Sequence, residues 1–417
     1  MAAPSKRILL ILGQVWPEPS TTAAGERMMQ LIRSFQEANY DIHFASSASQ
    51  TDHSEDLSDL GIKTLKIGIN DSDFDMMIGE LQPDIVMFDR FVVEEQFGWR
   101  VAEYSPRSLR ILNTEDLHSL RKARGEALNT SKECTPSYWL EQSDTLRELA
   151  SILRCDLSLL ISEIELNWLS NTGIIPDNLL FYLPFMLNNI NNYHTEDYIN
   201  FNERIDFIFA GHGKHRPNED AVQFLKADIW PLIRKKLPDA NLKVFGDGYS
   251  TKMQRLHDPD TGFFMSGWVD DLHAEITKAR INLATLRFGA GLKGKVVRAI
   301  AAGTPSMMTS IAAEGILPAK GYEECRADEP AEIVTKAVEL YSNKTSWETV
   351  QAALIERYNA IFDREHHHSM LHRQMEILFD TVENVRANNI VGRMLRHQSL
   401  NSQKYMAKWI EAKNKIQ

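Results

Sequence analysis

LRFGAGLKGKVVRAIAAGTP, residues 286–305, starts where an apolar run, INLATL (281–286), ends. Gly289, Gly291 and Gly294 then predict a turn, and a helix follows over 294–302, stopped by Gly303 and Pro305. A glycine-rich turn feeding a helix N-terminus is an anion site in waiting. The first amides of the helix lack intrahelical partners, the helix dipole is positive there, and glycine lets a ligand approach the backbone. Lys293 and Lys295 add charge where a diphosphate would sit. The plainer reading is an ordinary strand–turn–helix with solvated lysines. The spacing is not that of a Walker loop, because no Ser or Thr follows the lysines, and it lacks the GxGxxG pattern of a dinucleotide site.

Around this segment the second half alternates strand and helix. IDFIFAG (205–211), NLKVFGDG (241–248), FFMSGWV (263–269) and INLATL read as strands with their turns, and helices are expected over 221–236 and 270–279. The first half has the same architecture without repeating the sequence. RILLILG (7–13), DIHFASS (41–47), IKTLKI (62–67), DIVMFD (84–89) and LRILNTED (109–116) read as strands. Helices are expected near 28–35, 71–81 and 94–104, then a polar helical insertion over 117–154, then strands LSLLIS (157–162) and LLFYLP (179–184). Continuous apolar strands alternating with helices imply parallel sheets covered on both faces, an α/β chain of two Rossmann-like domains. The expected boundaries are 1–187, 203–346 and a helical end over 347–417 that packs back on the body. The Asn-rich stretch 188–202 is the linker.

The 417 residues carry 43% hydrophobic and 25% charged side chains, enough apolar material for two cores. A net charge of −11 argues against nucleic acid as a partner, since phosphate-backbone binding needs a basic face. Three cysteines, Cys134, Cys155 and Cys325, make neither a disulfide framework nor a zinc-ligand spacing. ILLILG (8–13) is short for a signal sequence, and no apolar stretch approaches the roughly 20 residues of a spanning helix. A cytoplasmic location is expected, with peripheral contact at the inner face of the membrane as the second option.

The donor-loop stretch resembles the signature of glycosyltransferase family 4 (group 1) and related GT-B enzymes. There a strand, a Phe-Gly loop and a helix ending in Ala-x-Gly-x-Pro hold a nucleoside diphosphate. AGHGKHRPNEDAV (210–222), VFGDG (244–248), SGWVDDL (266–272), AAEGI (312–316) and WPEPSTTAAGERMMQLIRSF (16–35) are similar to further elements of that family, in the same order. The resemblance implies a retaining glycosyltransferase that moves a sugar from a nucleotide sugar to a glycan, lipid or other acceptor. It places Gly211, Lys214, Arg216, Phe288, Gly289, Ala290, Gly291, Leu292, Lys293 and Lys295 at the diphosphate. It places Gly246, Trp268, Val269, Arg298 and Glu314 near the base and ribose, and Gly25, Asp89 and Arg90 on the acceptor side. One departure stands out: Arg298 occupies the position where the family carries a ribose-binding acid, and Glu314 is the nearest acid to replace it. A degenerate member that only binds a sugar nucleotide or a partner, and a sugar-nucleotide epimerase of the same fold, are the alternatives.

Asp116 and His118, in NTEDLHSLR (113–121), end a strand of the first half and would face the interdomain cleft. The resemblance gives such residues contact with the transferred sugar; as plain structure, Asp116 would be a helix N-cap. Asp89 and Arg90 also end a strand, and Glu94 and Glu95 suit a helix start without any function. His366, His367 and His368 point to different faces of a helix, and the pair His368 and His372 lacks an acid, so no metal is expected. No other cofactor is expected, and the oligomeric state is open. Residues 393–417 hold six Lys/Arg and one acid among Tyr405, Met406, Trp409 and Ile410. They read as a terminal helix packed on the body with solvated lysines, the alternative being contact with an anionic membrane.

Overall fold

The structure is a computed structural model and describes residues 6–190 and 198–414. The middle of the expected linker, 191–197, lies outside the described residues, as do 1–5 and 415–417. The chain divides into two compact units. The first comprises 1–119, 135–186 and 365–417, and the second 120–134 and 187–364.

The first unit holds strands β1 (Ile8–Gly13), β2 (Asp41–Ser46), β3 (Lys63–Lys66), β4 (Ile85–Asp89), β5 (Leu109–Asn113), β6 (Leu157–Leu160) and β7 (Leu180–Tyr182). They form one sheet in the order β3-β2-β1-β4-β5-β6-β7, and every pairing is parallel. The chain reverses its direction of travel between β1 and β4, and in such sheets ligands bind at the carboxyl ends flanking that point. Leu9 to Leu12 are fully buried, which is why the strand reads as an unbroken apolar run rather than an alternation. The Ala23–Glu37 helix follows β1 and is capped by Thr22, whose side chain accepts the Gly25 amide at 2.9 Å.

The helical end of the chain belongs largely to this first unit. Leu371, Met375 and Leu378 of the Arg364–Asn388 helix share one core with Leu9, Ile11, Phe35 and Phe44. Arg386 donates to both oxygens of Asp156, at 2.9 and 2.6 Å. The Ile390–Asn414 helix then packs on the Phe91–Tyr104 and Ser143–Arg154 helices. Gly392 is required at that contact, since a Cβ there would lie 2.0 Å from the Leu153 carbonyl oxygen. The Lys344–Phe362 helix instead packs within the second unit.

The second unit holds β8 (Ile205–Ala210), β9 (Leu242–Phe245), β10 (Phe263–Gly267), β11 (Ala279–Ala284) and β12 (Ser306–Met308). They form a second all-parallel sheet in the order β10-β9-β8-β11-β12, the same winding as the first. The helix after β8 starts earlier than the spacing predicts. It runs Arg216–Phe224, continues through a π-helical turn at Leu225–Ile229, and resumes at Trp230–Lys236, where Pro231 is tolerated in the first turn. The insertion is helical as expected, at His118–Asn129, Pro136–Leu140 and Ser143–Arg154, but residues 120–134 group with the second unit rather than the first. The physical reason is a side-chain dock: Phe288 sits where a Cβ on Gly125 would lie, 2.8 Å from the ring, and Arg124 bonds the same loop.

Candidate functional site: the donor loop and the strand-end cluster

In the second unit the turns after β8, β9 and β10 are laced together by backbone bonds. Gly211 N–H donates to Phe245 O at 2.9 Å, Gly213 N–H to Asp247 O at 2.7 Å, and Gly246 N–H to Gly267 O at 2.8 Å. Only glycine fits at Gly246: its φ is +135°, and a Cβ would stand 2.1 Å from the Gly211 carbonyl oxygen. The Gly294–Ala301 helix follows the turn after β11, and no side chain caps its N-terminus. The Arg216–Phe224 helix also starts without a side-chain cap.

Lys295 joins these two helix starts. Its Nζ donates to Asn218 Oδ1 at 2.6 Å and lies 3.9 Å from the centre of the Phe209 ring, while Asn218 Nδ2 donates to the His212 carbonyl. Burial, reinforced by Lys293, holds the Lys295 ammonium well below the usual lysine range. Two helix N-termini and a destabilised cation at the carboxyl ends of β8 and β11 form a place for an anion.

The loop 288–292 is buried throughout and Gly291 has φ +62°. Lys293 is also buried; its Nζ donates to the Gly291 carbonyl at 2.7 Å and lies 3.9 Å from Glu314. Glu314 is held by Arg124 through two parallel bonds of 2.7 and 2.8 Å, and Arg124 also donates to the Gly289 carbonyl at 2.7 Å. Glu314 is thus engaged in fastening the loop. Arg287 is exposed and pairs with Asp220 at the start of the Arg216–Phe224 helix. Arg298 is half-buried, one turn beyond Lys295 on the same helix face. Lys214 and Arg216 are exposed, on the rim of the turn after β8. Trp268 is exposed just after β10, and Val269 packs against the cluster of Ile208, Phe245 and Ile276.

In the first unit a second polar cluster lies at the ends of β4 and β5. Arg90 has φ +73° and ψ 156°, a conformation nearly confined to glycine, and Glu115 has φ +61°. Arg90 N–H donates to Asn113 O at 2.8 Å and its Nη1 to Gln14 Oε1 at 2.7 Å. Asp89 accepts from the Gln14 amide and from Asn113 Nδ2, both at 3.3 Å. Asn113 Nδ2 also donates to Glu115 at 2.8 Å, and the Arg27 guanidinium lies 3.7 Å from the same carboxylate. Burial pushes the Glu115 carboxyl up to about 7, opposed by Arg27 and assisted by Asp89. Asp116 faces His118, with Oδ1 3.2 Å from Nε2. The start of that helix is held instead by Glu148, which accepts the His118 and Ser119 amides at 3.0 Å each, while Glu165 accepts the Leu117 amide at 2.7 Å. Gly25 stands apart, where a Cβ would meet the Glu18 backbone at 2.5 Å.

Sequence reading missed Arg27, Glu115, Arg124 and Glu148. Two of them carry a signal: Arg27 and Glu148 each sit on the apolar face of an amphipathic helix, beside Met28 and Leu31 and beside Leu149 and Ile152. A charge there needs a buried partner. Nothing in the spacing reveals Arg124, whose partner lies 190 residues away. His368 and His372 share a face as expected, and both contact Ser34 Oγ, at 2.9 and 3.0 Å. Among the described residues no group of three or more His, Cys, Asp or Glu is placed to hold a metal ion.

Residues 204–343 match the family model described as glycosyl transferases group 1. Compared with curated proteins by sequence, the chain has no significant match. Solved structures of similar fold include a sucrose-phosphate synthase from Thermosynechococcus elongatus, at 12% identity and a TM-score of 0.66, covering 90% of this chain and 100% of that one. Anabaena Alr3699/HepE in complex with UDP and glucose is similar at 10% identity and a TM-score of 0.66, over 88% and 99% of the two chains. A glycosyltransferase from Rickettsia africae is similar at 11% identity and a TM-score of 0.62, over 90% and 99%. With its two parallel Rossmann-like sheets, the chain has the GT-B fold, and residues 204–343 of its second unit are similar to the glycosyl transferases of group 1.

Proposed function

We propose that this protein is a retaining glycosyltransferase that takes its sugar from a nucleoside-diphosphate donor. The observation that carries the reading is the bond between Lys295 and Asn218, which gathers two uncapped helix starts around glycine-packed turns. The structures of the similar Anabaena Alr3699/HepE in complex with UDP and with UDP-glucose support the same class of donor.

In this reading the diphosphate lies along 289–295 and beside Gly211. As the bond from the anomeric carbon to the phosphate oxygen breaks, negative charge grows on the leaving diphosphate. Lys295 and the two helix dipoles stabilise that charge without a metal. The departing phosphate oxygen takes the proton of the acceptor hydroxyl, whose oxygen bonds to the anomeric carbon on the same face. Asp116 and His118 contact the transferred sugar. Asp89 and Arg90, held in position by Gln14 and Asn113, contact the acceptor. The acceptor is a glycan, a lipid or another hydroxyl compound.

The test is incubation with a panel of sugar nucleotides, reading release of nucleoside diphosphate and then the anomeric configuration of the product by NMR. Release with retained configuration is expected. Inverted configuration would overturn the retaining assignment. Binding without release, from any donor, would favour a second reading, a sugar-nucleotide-binding module. That reading is motivated by Arg298 standing where the resembled family carries an acid.

A further inference from the structure

The Ile390–Asn414 helix has two faces of different character. Gly392, Arg396 and Ala407 lie toward the first unit; Gly392 abuts the Leu153 carbonyl and Arg396 donates to the Arg154 carbonyl at 3.0 Å. The opposite face is open, with apolar side chains toward its two ends and the exposed Asn401 and Ser402 between them. Ile390, Met394, Tyr405, Met406 and Trp409 are each at least 60% exposed, and Val391 is 52% exposed. At about 100° per residue these six fall within an arc of about 160°. Single exposed hydrophobics need no explanation, but six on one face of one helix do.

The charge on that face decides its partner. Lys408 and Lys413 are exposed within the arc. Arg393 and Glu411, the helix's acid, share one angular position about 60° beyond that arc. Among the described residues the open face therefore carries positive charge alone, on a chain whose net charge is −11. A symmetric pairing of two such faces would add positive charge to positive charge with no acid on either face to offset it. No described helix is long and apolar enough to cross a membrane.

We propose that this face binds the surface of an anionic lipid bilayer, with the helix lying flat. The apolar residues from Ile390 to Trp409 span about 28 Å along the axis and enter the headgroup region. Trp409 and Tyr405 sit at the interface between hydrocarbon and water, and Lys408 and Lys413 reach lipid phosphates.

The test is co-sedimentation of the full chain with vesicles of phosphatidylcholine alone and of phosphatidylcholine with phosphatidylglycerol. Binding to the anionic vesicles, weakened by added salt, is expected. Replacing Tyr405, Met406 and Trp409 together by Ser should reduce it at least about tenfold. The double substitution Lys408→Glu, Lys413→Glu should reduce it at least about fivefold per lysine. All five side chains face outward, so circular dichroism and donor binding should be unchanged. No binding to anionic vesicles would overturn the proposal. So would binding indifferent to these substitutions, or self-association in ultracentrifugation that depends on the apolar residues without any vesicle binding.

Discussion

Lys295 reaches across from the first turn of one helix to Asn218 in the first turn of another, at 2.6 Å. The contact holds a cation in a place that disfavours it, between Phe209 and a second lysine. An arriving diphosphate would restore the proton that burial works to remove. Donor binding at mildly alkaline pH should therefore take up a proton, measurable by calorimetry in buffers of different ionisation enthalpy. Lys295→Met should abolish that uptake and weaken nucleoside diphosphate binding about tenfold or more. Unchanged affinity would remove Lys295 from the site.

Arg124 bonds Glu314 twice and the Gly289 carbonyl once. Arg124→Ala should loosen the loop and lower donor affinity about tenfold, the worth of one charge-assisted bond. Glu314→Gln should act in the same direction. The double variant should be little worse than either single one, because both changes release the same loop. Additive losses in a double-mutant cycle would count against a shared clamp.

Arg298→Glu places an acid where the resembled family has one. Donor affinity should hold or rise, read by titration with nucleoside diphosphate sugar. A loss of about tenfold or more would show that the arginine itself engages the donor.

Glu115 titrates near 7 when folded, against 4.5 as its ordinary value. A carboxyl raised in this way contributes stability that is present below about 4.5 and lost as pH rises through about 7. Glu115→Gln should flatten that stretch of the stability profile and gain about 1–3 kcal/mol relative to the parent at pH 8. Denaturant unfolding at acidic and mildly alkaline pH measures it, and parallel profiles would contradict the assignment.

Gly246→Ala should cost about 2 kcal/mol or more, because the backbone φ of +135° and the Gly211 carbonyl both exclude a methyl group. The loss should appear in unfolding of the second unit, and a neutral substitution would mean the turn relaxes freely.

The winding of both sheets and the turn before the Gly294–Ala301 helix were legible because their signals are local. Buried parallel strands read as apolar runs, and Gly289, Gly291 and Gly294 announce a turn before a helix. The break near 187 falls where it was expected, but the grouping of 120–134 was not legible, since it is placed by the meeting of Phe288 with Gly125 and of Arg124 with Glu314, residues far apart in sequence. The strand-end cluster was half legible. Asp89 and Arg90 stand at a recognisable strand end, but the strain at Arg90 and the burial of Glu115 arise only when β4 and β5 pair and Arg27 closes over them.

The first unit is not continuous in the chain: its core is completed by Leu371, Met375 and Leu378. On a ribosome, Leu9, Ile11 and Phe44 emerge well before Leu371, Met375 and Leu378 and stay without part of their cover until those residues have been made. The second unit is assembled almost entirely from 187–364 and can close before then. Synthesis therefore leaves an incomplete apolar surface waiting through the making of another unit, the interval in which a nascent chain depends most on chaperones.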